Sequence, residues 1–378
     1  MRKLKLGVAG LGRAFALTAP TLARDKRIEL VGGCDPRAEA LSRMEKDFGA
    51  QGFRSFAELL KSAAEAIYIA TPHRFHAAQA VAAAKAGKHV LVEKPMALSL
   101  KECRAMAAAA KKHRVHLIVG PSHSFDLPIR QARQLVDTGK FGRVRMITAF
   151  NFTDFLYRPR MPDELEHALL NQSAHHVDIV RLLAGSPLKS VHAHAVRWDR
   201  AQGAYSALLR FKDSFATITY SGNAHFDSDE FTDWIGELGQ KKDPSQYGAA
   251  RKALSSRDET KFKVSRNYGG PEFKASEARF HEHFGPLIVS CDKADLRPLP
   301  NGVMIYADGE RRLVALPPTN APRSGVIDEL YDAIVKRKAP LHDAAWGLAT
   351  TEACLALLKS AKSGREVPLK HQTSASRT

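Results

Sequence analysis

Apolar residues in the first 120 positions fall into short runs separated by longer stretches of helical periodicity. Leu4–Ala9, Ile28–Cys34, Ala66–Ala70, His89–Glu93 and His116–Gly120 are continuous apolar runs, the signature of strands buried on both faces. Between them Arg37–Phe48, Ser55–Lys61, Arg74–Ala86 and Ser99–His113 read as helices. Asp35-Pro36 and Ser99 supply helix starts, because a short oxygen-bearing side chain satisfies an end amide and proline tolerates the first turn. The alanine-rich stretches Ala77–Ala86 and Ala105–Ala110 are strong helix formers rather than linkers. Strand alternating with helix predicts a doubly wound parallel sheet.

The rhythm changes after Gly120. Phe125–Thr138 reads as a helix, followed by strand-like runs at Val144–Phe152, Val191–Trp198, Tyr205–Phe211 and Phe215–Ser221. Glycine and aspartate turns join several of these without long helices, which predicts a mixed or antiparallel sheet. Leu169–Ala184 is an amphipathic helix among them, and Gly325–Arg337 and Ala344–Lys362 are helical further on. Residues 239–278 are polar and weakly periodic and read as a long excursion. The pattern predicts α/β domains at 1–122 and 123–370, with a disordered tail at 371–378.

Composition adds exclusions. With 378 residues, 44% hydrophobic and 26% charged, the chain is of ordinary globular type. No run of about 18 apolar residues occurs, so no membrane association is expected. Met1–Phe15 is basic and then apolar but interrupted by glycines, unlike a secretion leader. Cys34, Cys103, Cys291 and Cys354 are scattered singly, with neither zinc nor disulfide spacing. A cytoplasmic location is the expectation. The net charge is +17, from 57 Lys and Arg against 40 Asp and Glu. These are spread along the chain without a nucleic-acid-binding signature, so they favour an anionic small molecule over nucleic acid.

Gly10-Leu11-Gly12 follows the first strand and precedes a helix. Such glycines let backbone amides approach a pyrophosphate at a helix N-terminus. The candidate cradle is Gly10, Gly12, Arg13, Ala14 and Phe15; Phe15 stands where a third small residue is usual. Asp35 ends the second strand, where a carboxylate accepts from ribose hydroxyls and repels a 2′-phosphate. That favours NAD over NADP, although Arg37 is a residue type that can hold the phosphate.

Further motifs follow in order: Ala70-Thr71-Pro72 with His76, Ala86-Gly87-Lys88-His89-Val90, Glu93-Lys94-Pro95, Gly139–Val144 and His175–Asp178. In these the chain resembles the Gfo/Idh/MocA oxidoreductases. The resemblance implies an N-terminal Rossmann NAD-binding domain. It also implies a C-terminal α/β domain whose open, mainly antiparallel sheet forms a homo-oligomer, dimer or tetramer. It places Thr71, Pro72, His76, Glu93 and Lys94 against the cofactor. Lys94 becomes the lysine that orients the reacting hydroxyl and His175 the proton acceptor. Asn171 replaces the family's first acid and becomes a substrate contact. Asn171, His175 and Asp178 share a helix face by spacing, and His176 faces elsewhere. The family's glycine triplet is replaced by 166–170.

Gly10–Phe15, Ser122–Asp126, Tyr157–Arg160 and His283–Pro286 are similar to the phthalate dihydrodiol dehydrogenase branch. That resemblance implies NAD-dependent oxidation of a cis-dihydrodiol dicarboxylate to the aromatic diol. His123, Arg158 and Arg160 then become substrate contacts, arginine being suited to bidentate carboxylate binding. Two alternatives are a sugar or polyol dehydrogenase, inositol type, and a non-catalytic NAD-binding regulator. His192/His194 and His281/His283 are at strand spacing but lack acidic or cysteine partners in sequence, so no metal is expected.

Overall fold

The computed structural model describes residues 2–160, 167–198, 201–274, 278–319 and 321–375. Contacts group the chain into two compact units. The first comprises Met1–Pro121, Lys261–Ser276 and Ala321–Thr351; the second comprises Ser122–Thr260, Glu277–Asn320 and Glu352–Thr378.

The first unit is built on a parallel six-stranded sheet: β1 (Leu4–Ala9), β2 (Ile28–Cys34), β3 (Gln51–Phe53), β4 (Ala66–Ile69), β5 (His89–Val92) and β6 (Leu117–Val119). Their spatial order is β3-β2-β1-β4-β5-β6, so the order reverses between β1 and β4. In such a sheet ligands bind outside the strand C-termini at that reversal. Helices α1 (Arg13–Arg24), α2 (Ala38–Phe48), α3 (Phe56–Leu60), α4 (His76–Lys85) and α5 (Leu100–His113) connect the strands. The Ser99 hydroxyl caps α5 through the Glu102 amide, and Ser55 and Glu58 form a reciprocal cap on α3. Ile67, Ile69, Val90, Val92, Ala80, Ala83 and Met106 join one buried cluster; small alanines let α4 lie close to the strands. β3 escapes sequence patterning because it has three residues, two of them exposed.

The 239–278 stretch contains short helices at Ala249–Ser255 and Glu259–Ser265. Beyond them Tyr268 returns to the first unit, buried to 1% exposure. Its ring meets Phe15 edge-on at 4.9 Å, and Phe48 lies 6.2 Å from Phe15 on another side. This explains a phenylalanine at the usual small position: the excursion brings back an aromatic partner for it.

The second unit holds a nine-stranded sheet. Its strands are β7 (Val144–Phe152), β8 (Ser190–Arg197), β9 (Gln202–Arg210), β10 (Phe215–Ser221), β11 (Leu287–Cys291), β12 (Ala294–Leu299), β13 (Gly302–Ala307), β14 (Glu310–Ala315) and β15 (Val367–Pro368). The order is β14-β13-β12-β11-β7-β10-β9-β8-β15, and only β7 and β10 pair in parallel. The sheet is therefore open and mainly antiparallel. β11–β14 lie beyond the strands that patterning predicts; they are short, and charged residues occupy outward positions of β12 and β14. Helices α6 (Leu127–Asp137) and α7 (Ala168–Ala184) pack in this unit. Apart from Asn171 and the terminal Ala184, α7 is buried throughout, so it is a core helix rather than an amphipathic one.

The tail departs from the expected disorder as far as it is described. The Glu352 carboxylate accepts from the Lys370 and His371 amides and the Gln372 side chain at 2.8–2.9 Å, and Arg181 donates to Thr373. Residues 376–378 lie outside the described residues. Among the described residues no helix is long and apolar enough to cross a membrane.

Candidate active site

The glycine loop leaves β1 at Gly10, whose φ of +89° suits glycine. A Cβ there would stand 2.6 Å from the Ala70 carbonyl oxygen. At Gly12 a Cβ would meet nothing within 4 Å, so the backbone is open on that side. Gly12 begins α1 with no side-chain cap, leaving the amides of Arg13, Ala14 and Phe15 as first-turn donors. This suits a pyrophosphate, and the residues present fit a dinucleotide. Only the Phe15 amide belongs to that cradle; its side chain is core, so the expected Phe15 contact reduces to its backbone.

Asp35 is 5% exposed and already serves the loop. Its Oδ2 accepts from Leu11 N–H at 2.8 Å, and its Oδ1 accepts from Arg37 N–H and Nε at 3.0 Å. Arg37 in turn donates through Nη2 to the Leu11 carbonyl at 2.7 Å and through Nη1 to the Tyr268 carbonyl at 3.1 Å. All three guanidinium nitrogens are thus engaged within the unit, which argues against Arg37 as a phosphate clamp.

At the C-terminal end of β5, Glu93 is buried and accepts from Tyr68 Oη at 2.7 Å and from Arg323 at 3.2 Å. Arg323 also reaches the Ala14 carbonyl and the Thr18 hydroxyl in α1, both at 3.2 Å. Glu93 is therefore an internal anchor that fixes the backbone at half-buried Lys94, not a surface contact. His76 is similar. It is fully buried, with Nε2 2.9 Å from the Thr71 carbonyl and Nδ1 3.0 Å from the Pro95 carbonyl. It ties the Thr71-Pro72 turn to the Lys94-Pro95 turn from behind. Burial lowers its pKa. Thr71 and Pro72 form the turn that leads into α4, with the Thr71 hydroxyl 2.6 Å from Gln79 Oε1. Tyr68 and Arg323 carry no local sequence signal; Arg323 arrives from more than 200 positions away.

The second unit gathers His175 on α7 with His123 and Phe284. The ring centroids of His175 lie 4.7 Å from His123 and 4.6 Å from Phe284. Phe284 also stacks on His123 at 5.1 Å, in a turn where Gly285 at φ +84° brings a would-be Cβ to 2.2 Å from the Phe150 carbonyl. His123 is buried and faces a carboxylate on each side. Nδ1 lies 2.7 Å from Asp126 Oδ2 and Nε2 lies 3.4 Å from Glu237 Oε1. Burial alone would lower its pKa, but the two carboxylates override this and push it up to about 10. Two acceptors require two donors, so His123 is an imidazolium.

Asp178 is buried on α7. Its Oδ2 takes the hydroxyls of Ser122 and Ser124, which pins the loop carrying His123. His176 is neutral, its pKa lowered to about 3 by burial and by the His123 cation, and it meets Tyr205 Oη at 2.8 Å. Asn171 is half-buried on α7, its amide oxygen accepting from Gln172 at 3.3 Å. The replaced glycine triplet falls at 166–170, of which residue 166 lies outside the described residues.

Arg158 and Arg160 diverge. Arg158 donates to Thr153 Oγ1 at 3.0 Å and Asp154 Oδ1 at 3.4 Å, with Nη1 3.7 Å from Glu237 Oε2. The Arg160 guanidinium lies 3.5 Å over the Phe155 ring, and its amide donates to Glu259. Arg158 thus shares Glu237 with His123. Glu237 has no sequence signal; Asp126 had one, its spacing of three from His123.

His281 and His283 each turn Nε2 to a backbone carbonyl at 2.8 Å, and His192 and His194 are exposed on β8. One set of metal-type donors occurs among the described residues: His123, His175 and Glu237, all within 4.8 Å of one another. With both His123 nitrogens given to carboxylates, this set is arranged as an ion-pair cluster.

Residues 4–121 match the oxidoreductase family model with an NAD-binding Rossmann fold, and residues 129–240 match the Gfo/Idh/MocA C-terminal domain. The chain belongs to the Gfo/Idh/MocA oxidoreductase family. Within that family it is 41% identical, over 95% of both chains, to 1-carboxy-3-chloro-3,4-dihydroxycyclohexa-1,5-diene dehydrogenase of Comamonas testosteroni. It is 25% identical to a myo-inositol 2-dehydrogenase of Thermotoga maritima, over 63% of this chain and 74% of that one. A crystal structure from Bordetella bronchiseptica RB50 superposes with a TM-score of 0.92 at 38% identity, covering 97% of this chain and all of the other. The Gfo/Idh/MocA assignment accounts for both sheets and for the glycine loop at the β1–α1 junction.

Proposed function

We propose that the chain is an NAD-dependent dehydrogenase that oxidises a carboxylated cyclic cis-diol to the aromatic diol. The observation that carries this reading is the 41% identity, end to end, with a dehydrogenase of a carboxylated dihydroxycyclohexadiene. The imidazolium–arginine pair of the second unit supports a carboxylate on the substrate. A phthalate-type dicarboxylate is the finer form of the same reading.

Bound NAD supplies the hydride acceptor. Arg13, Ala14 and Phe15 hold its pyrophosphate through backbone amides. Lys94, fixed by the Glu93 anchor, orients the reacting hydroxyl. His175 takes the hydroxyl proton as the ring C–H gives up its hydride. The resulting ketone tautomerises to the aromatic diol, and aromatisation makes the oxidation favourable. The balance is diol plus NAD⁺ to aromatic diol, NADH and one proton.

The coenzyme is NAD rather than NADP: Asp35 stands at the end of β2 and Arg37 is committed to Asp35, Leu11 and Tyr268. The test is NADH formation from a carboxylated cis-dihydrodiol, with the catechol product identified. A polyol reading is favoured by one observation, that Arg158 already has acidic partners.

We also infer a homo-oligomer through the open sheet. Met146, Leu208, Phe215 and Ile288 are 37–45% exposed and point to one face, as their cross-strand register requires. A second copy of this face would cover that apolar surface.

A further inference from the structure

Glu237 places a carboxylate between two cations of the second unit. One oxygen faces His123 Nε2 at 3.4 Å and the other faces Arg158 Nη1 at 3.7 Å. Both contacts are long for charged pairs, which close to about 2.7–2.9 Å when well seated. By contrast, Asp126 holds the other His123 nitrogen at 2.7 Å and is 5% exposed. The Glu237 side chain is 33% exposed. Its backbone is fixed separately, the carbonyl accepting from His283 N–H at 3.2 Å in the turn where Ile235 pairs with Lys241. The Glu237 side chain is thus held less tightly than that of Asp126.

We propose that Glu237 is a resident stand-in for the substrate carboxylate: the His123–Arg158 pair is the carboxylate-recognition site, and an incoming ring carboxylate displaces Glu237 toward solvent. The exchange leaves the local charge unchanged, since one carboxylate replaces another. It also resolves why Arg158 is paired in the structure and still available to substrate. Asp126 keeps His123 cationic in both states, and Phe284 fixes the plane of its ring. The Arg160 guanidinium is stacked on Phe155. Glu237 becomes a specificity residue: a neutral ring substituent has no charge with which to displace it. This inference rests on the carboxylated-diol reading for its substrate but concerns binding alone.

The test is calorimetric titration of the full-length protein, loaded with NAD, with benzoate and with neutral benzamide. Glu237→Gln removes the competing charge. If Glu237 leaves the site open roughly a tenth of the time and benzamide binds without entering it, benzoate affinity rises about tenfold and the benzoate-to-benzamide ratio with it. Arg158→Gln lowers the same ratio by about ten- to a hundredfold, the worth of a charged hydrogen bond. A ratio unchanged or reduced in Glu237→Gln overturns the proposal. Turnover of a carboxylated cis-dihydrodiol by the unaltered protein is read separately. Its absence would overturn the activity reading, while a raised ratio would still support carboxylate exchange at Glu237.

Discussion

Arg37 folds back onto Asp35, Nε to Oδ1 at 3.0 Å, and the two side chains grip Leu11 from both ends, Asp35 on its N–H and Arg37 on its carbonyl. The ion pair therefore shapes the glycine loop before any cofactor arrives. A 2′-phosphate would have to break this grip to gain an arginine. We expect catalytic efficiency with NAD to exceed that with NADP by at least about tenfold, and Asp35→Ala to weaken NAD by about ten- to a hundredfold. Steady-state kinetics with both coenzymes checks this. A preference for NADP would show that Arg37 is released.

Phe15 tests the packing that replaces a small residue in the loop. It is fully buried against Tyr268 and Phe48. Phe15→Ala should cost about 3–5 kcal/mol, as large-to-small core changes do. Urea unfolding measures it. A loss under about 1 kcal/mol would mean that the cavity refills and that Tyr268 is not held by Phe15.

How far the sequence was legible follows from distance along the chain. The parallel sheet was readable because each buried strand is a local apolar run. The glycine loop was readable because its function is carried by consecutive residues. Tyr268 was not, because a single tyrosine in a polar stretch shows nothing of its partner Phe15. Glu93 stands in a motif, but nothing beside it in sequence shows its partners Tyr68 and Arg323. His123 stands in a recognisable motif, but its second carboxylate partner, Glu237, lies more than 100 positions away and has no local signal.

The charge on His123 has a pH consequence. Its folded pKa, up to about 10, lies above the ordinary histidine value of about 6.5. The folded state therefore binds the proton more tightly than the unfolded chain. The resulting stabilisation is fully present below about pH 6.5 and is lost as pH rises toward 10. The stability gap between the natural protein and His123→Gln should shrink over that window. Denaturant unfolding from pH 6 to pH 10 reads it. A gap that widens with pH would contradict the imidazolium.

The open face of the second sheet gives a separate test. Leu208→Arg and Phe215→Lys place charges in the centre of the exposed apolar strip formed with Met146 and Ile288. If a second copy covers that strip, both substitutions should shift the protein to monomer in sedimentation or light scattering. Unchanged mass in both would move the interface elsewhere.

Lys94 and His175 carry the chemistry in this account. Lys94→Ala and His175→Ala should each lower kcat by about 10²–10⁴-fold, the range for general acid–base groups. NAD affinity should persist in His175→Ala, because the pyrophosphate cradle belongs to the first unit. Wild-type turnover in both variants would remove them from the reaction.

The most direct measurement is NADH formation by the purified protein across a panel of carboxylated cis-dihydrodiols, their uncarboxylated counterparts, inositols and sugars. The highest kcat/KM is expected for a carboxylated cis-dihydrodiol, with the aromatic diol as product. Highest efficiency on an inositol or sugar, with the carboxylated diols inert, would contradict it.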